Sequence, residues 1–71
     1  MTPTCIRQRL VVYMARYGFT PEMCHDKTAD QLLHIAAMLV QRRRCQGLLE
    51  PDEIVQLGDM EELVTELRHV N

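Results

Sequence analysis

With 46% apolar and 25% charged side chains in 71 residues, this chain is too apolar to be disordered and too short to build a large core, so it reads as one domain over 1–71. Its net charge of −2 hides a division. Up to Gly47, seven basic residues (Arg7, Arg9, Arg16, Lys27, Arg42, Arg43, Arg44) face three acids, a net of +4; beyond it only Arg68 opposes Glu50, Asp52, Glu53, Asp59, Glu61, Glu62 and Glu66, a net of −6.

Thr2-Pro3 places a capping hydroxyl before a proline at the first helical position. Ile6, Leu10, Tyr13, Met14 and Tyr17 follow on one face, which predicts a helix over 3–17 stopped by Gly18, with Phe19 folding back onto the last turn. Thr20-Pro21-Glu22 repeats the cap-plus-proline signal, but the polar run from His25 leaves room for only one turn, about 21–24.

Thr28 to Gln31 has the spacing of a capping box and opens a helix over 29–45. From Leu32 to Val40 that helix is apolar almost all round, which predicts a central position with neighbours on several sides. Arg42, Arg43 and Arg44 close it, where cations suit the negative end of the helix dipole, and Gly47 stops it. Glu50-Pro51-Asp52-Glu53 then begins a short helix over 51–57 ended by Gly58, and Asp59 with Glu62 begins another over 60–70. Met60, Leu63, Val64, Leu67 and Val70 form its apolar stripe. The predicted architecture is an all-α bundle of three main helices and one or two short ones.

The longest apolar run, Ile35 to Val40, is far below the roughly 20 residues of a membrane span. No secretory signal pattern opens the chain, which makes the cytoplasm the default expectation. Cys5, Cys24 and Cys45, odd in number and widely spaced, read as free thiols.

Chemistry finds little footing. Cys24 and His25 are adjacent and have no second ligand two to four residues away, so no metal site is expected. Cys24, His25 and Asp26 supply the types of a nucleophilic triad, yet such groups converge from separate elements. No enzyme activity and no cofactor are expected. Nucleic acid is the alternative partner, through the basic first two-thirds of the chain. However, Arg42, Arg43 and Arg44 spread by about 100° per residue, and a last helix bearing Asp59, Glu61, Glu62 and Glu66 repels phosphates.

The order Thr28-Ala29-Asp30-Gln31-Leu32-Leu33, then Leu49-Glu50-Pro51-Asp52-Glu53-Ile54, then Asp59-Met60-Glu61-Glu62-Leu63-Val64 resembles the layout of acyl carrier proteins over Ala29 to Val70. That resemblance implies a helical bundle. The serine that bears phosphopantetheine in carriers would fall at Gln31, which has no nucleophilic oxygen, so the resemblance carries over no prosthetic group and implies, as a further alternative, a degenerate carrier-like protein.

These readings converge on a non-enzymatic module that binds another protein as a regulator, adaptor or inhibitor. Arg42, Arg43 and Arg44 are expected as one electrostatic patch, and Glu53, Glu61, Glu62 and Glu66 as a second that suits a basic partner. Tyr13, Tyr17 and Phe19 belong to the core before they serve as anchors. A core of this size supplies only about 3–5 kcal/mol, which adds self-association to the expectation.

Overall fold

The computed structural model describes residues 2–70, leaving aside the side chain of Val70. It consists of α1 (Pro3–Ala15), α2 (Pro21–Cys24), α3 (Ala29–Cys45) and α4 (Pro51–Val70). No strand occurs among the described residues.

Local chemistry sets the helix starts. Thr2 Oγ1 accepts the Cys5 N–H at 3.2 Å and Thr20 Oγ1 that of Met23 at 3.3 Å, each with proline in the first turn. At α3 the capping box is closed in both directions: Gln31 N–H donates to Thr28 Oγ1 at 3.1 Å, and Thr28 N–H donates to Gln31 Oε1 at 2.8 Å. Two glycines set the ends. Gly18 (φ +86°) and Gly47 (φ +74°) take the left-handed conformation. Around each, a pair of bonds turns the chain back: Gly18 to Ala15 and Phe19 to Met14, then Gly47 to Arg44 and Leu48 to Arg43.

Pairing across the molecule shows that α3 and α4 run antiparallel. Arg43 near the end of α3 meets Glu53 in the first turn of α4, and at the far end Arg68 meets Asp30. α1 packs on both helices. The core is the shared interior: Ile6, Leu10 and Met14 from α1, Cys24 from α2, Ala29, Leu32 and Ala36 from α3, and Met60, Leu63 and Val64 from α4. Tyr13 and Phe19 are half-buried against it.

Three expectations change. Helix α1 ends at Ala15, and Arg16 to Gly18 form the turn. The two helices expected after Gly47 are one, because Gly58 stays helical instead of turning the chain. Glu53, Leu57, Met60, Val64 and Leu67 recur at helical spacing through Gly58, so packing along one unbroken stripe outweighs the helix cost of glycine, about 1 kcal/mol. Finally, α3 is not surrounded. It buries one stripe, Ala29, Leu32, Ala36 and Val40, while Met38 on the opposite side is 57% exposed. Two long neighbours can cover only one side of a helix.

Candidate functional site

The most concentrated chemistry lies where the ends of α1 and α3 meet the first turn of α4. Glu53 is fully buried there. Its Oε2 accepts the Glu50 N–H at 2.8 Å, as the third residue of a helix does in a capping box, and its Oε1 accepts the Tyr17 hydroxyl at 3.5 Å. Arg43 Nε stands 2.6 Å from Oε1. The angle of that contact does not align a hydrogen bond, and Arg43 Nε is buried without one, so the pair is held by charge. The Arg43 Nη2 group donates to the Leu48 carbonyl at 3.3 Å, tying the guanidinium to the turn it spans.

A second basic residue completes the cluster from α1's end. Arg16 donates to Asp52 and Gln56, each at 2.9 Å, and lies 3.5 Å from Glu50. Each shifted pKa reflects this arrangement. The Glu50 amide, then the Arg43 guanidinium, hold the Glu53 carboxyl below the usual carboxylate range against the opposing effect of burial. The Arg16 hydrogen bond lowers Asp52, and Asp52 in turn raises Arg16. Burial, followed by the nearby Glu53 charge, pushes the Tyr17 hydroxyl up. The cluster binds three helices together and leaves no opening at which Glu53 could meet a ligand.

The residues expected to form two patches therefore separate. Arg43 turns inward to Glu53, while Arg42 and Arg44 are exposed. Two helical positions apart, these two point about 200° away from each other, so the three arginines form no single patch. Glu53 leaves the acidic surface altogether. Glu61, Glu62 and Glu66 are exposed on the outer side of α4 with Asp59, and Ile54 (49%) and Val55 (64%) lie exposed just before them. Gly58, Glu61, Glu62, Thr65, Glu66 and His69 line a shallow depression on that side.

Other basic residues serve the fold. Arg7 donates to the carbonyls of Cys24, at 2.8 Å, and of Lys27, fastening α1 to the turn after α2. Lys27 pairs with Asp26. The thiols of Cys5 and Cys45 are free and exposed, whereas that of Cys24 is free and buried. Among the described residues no three His, Cys, Asp or Glu side chains converge as metal ligands would, and no helix is long and apolar enough to cross a membrane.

Sequence reading missed the role of Glu53, although two signals marked it. It stands three residues after Glu50 across Pro51, and it shares a helical face with Leu57, Met60 and Val64. Treating Gly58 as a stop broke that face in two. Gln31, where a carrier's serine would fall, has its side chain engaged in the α3 capping box. Compared with known proteins, the chain matches no family model, no curated protein and no solved structure.

Proposed function

We propose that the protein is a non-enzymatic protein–protein interaction module, a regulator, adaptor or inhibitor, that receives a basic partner on the outer face of α4. One observation carries this reading. The acids in the first turn of α4 are engaged within the molecule, whereas Asp59, Glu61 and Glu62, with exposed Ile54 and Val55 beside them, face solvent. Apolar side chains flanked by one sign of charge supply both burial and steering for a partner of opposite charge.

The competing reading, a nucleic-acid-binding regulator, has less basic surface to draw on. Arg7, Arg16, Lys27 and Arg43 have partners within the molecule, leaving Arg9, Arg42 and Arg44. The test compares capture of host proteins by the wild-type chain and by Glu61→Lys/Glu62→Lys, alongside a duplex-DNA titration at several salt concentrations. A protein captured by the wild type and lost from the variant supports the module. Binding of DNA with a steep salt dependence, unaffected by the variant, transfers support to the competing reading.

A further inference from the structure

Gly58 sits mid-helix on the outer side of α4, and a side chain added there would touch nothing within 4 Å. No close approach inside the molecule accounts for a glycine at this position. Instead, the absent side chain leaves a notch in the depression next to Glu62, one turn beyond exposed Val55.

The outer side of α3 has the opposite relief and the opposite charge. Met38 and Arg42 stand exposed on it, Met38 as its most exposed large apolar side chain, with half-buried Ile35 and Leu39 along its edge. Ile35, Met38 and Arg42 are spaced three and four residues apart, and so are Val55, Gly58 and Glu62. Laid parallel in register, Ile35 meets Val55, Met38 enters the notch at Gly58, and the Arg42 guanidinium meets the Glu62 carboxylate. An antiparallel alignment sets Arg42 against Val55 and loses the charge pair. Within one chain α3 and α4 are antiparallel, so the parallel register is open only to two copies.

We propose that the occupant of the α4 outer face is a second copy of this chain, docked through the outer ridge of its α3 in that register. The inference rests on the reading of the α4 face as a docking surface and names its partner. The local charge match of Arg42 with Glu62 and the matched spacing both favour another copy, although each copy is net −2, and the small core gives burial between copies a stabilising role. The contact joins two different faces, so the mass in solution distinguishes a pair exchanging two contacts from a longer assembly.

Sedimentation equilibrium of the full chain in reductant, from micromolar to millimolar concentration, tests the proposal. A mass rising above 8.3 kDa is expected. Arg42→Glu and Glu62→Arg should each weaken association by about tenfold or more, and the double exchange Arg42→Glu/Glu62→Arg should restore it. Gly58→Leu should abolish association while circular dichroism stays helical. A strictly 8.3 kDa species up to millimolar concentration, or a double exchange that fails to restore association, overturns the proposal. If the chain remains monomeric while Glu61→Lys/Glu62→Lys still loses a captured host protein, self-pairing alone fails. If no protein is captured either, the docking reading fails with it.

Discussion

The two ends of the acidic stretch from Glu50 to Glu62 use the same kind of residue for different purposes. At the start of α4 Glu50, Asp52 and Glu53 meet Arg16, from the turn after α1, and Arg43, from α3. Two turns later Asp59, Glu61 and Glu62 face solvent. Helical phase separates them: Glu53 lies on the stripe that includes Met60 and Val64, whereas Glu61 and Glu62 lie off it. A carboxylate in phase with the core must be satisfied inside and becomes part of the fold, while one out of phase remains available to another molecule.

The comparison breaks most readily at the inner end. Leu32→Ala, which truncates a fully buried side chain, should cost about 2–5 kcal/mol. If the inner cluster is structural, Glu53→Ala should lower the urea midpoint by an amount approaching that of Leu32→Ala, because Arg43 loses its counter-charge and the Glu50 amide its acceptor. A midpoint shift no larger than that of Glu61→Ala would erase the distinction between the two ends.

Acid should act on the same end. The Glu53 and Asp52 carboxyls are held below their ordinary values of 4.5 and 3.8. As pH falls past those values, the unfolded chain takes up protons first, so this contribution is complete above about pH 4.5 and is lost as pH drops through the lower folded values. Urea midpoints measured from neutral pH down to about 3 should show the decline, and Glu53→Gln should flatten it. The outer end gives smaller effects. Gly58→Ala, with open space around the new methyl, should stabilise the chain by about 0.5–1 kcal/mol in thermal melts. Glu61→Lys/Glu62→Lys should leave stability within about 0.5 kcal/mol while abolishing partner capture, which sharpens the contrast between the ends.

Caps and glycine turns made most of the fold legible in the sequence. Thr2, Thr20 and Thr28, with Gly18 and Gly47, bound α1, α2 and α3 through local hydrogen bonds, and such bonds depend on near neighbours in the chain. Gly58 was misread because its propensity is local, whereas the stripe that keeps it helical depends on α1 and α3. The same limit affects the charged residues. Arg42, Arg43 and Arg44 are alike in sequence, and only the position of α4 makes Arg43 the inward one. Glu61 and Glu62 were legible as surface because their position follows from helical period alone.

Cys24, the last residue of α2, is fully buried, and Arg7 fastens the turn that follows it. Its thiol is therefore a built-in clock for the lifting of that corner. A thiol reagent should modify Cys5 and Cys45 at once and Cys24 only as often as the corner opens. The slow phase then times the departure of α2 from the bundle, and Arg7→Ala should hasten it while the two fast thiols keep their rate.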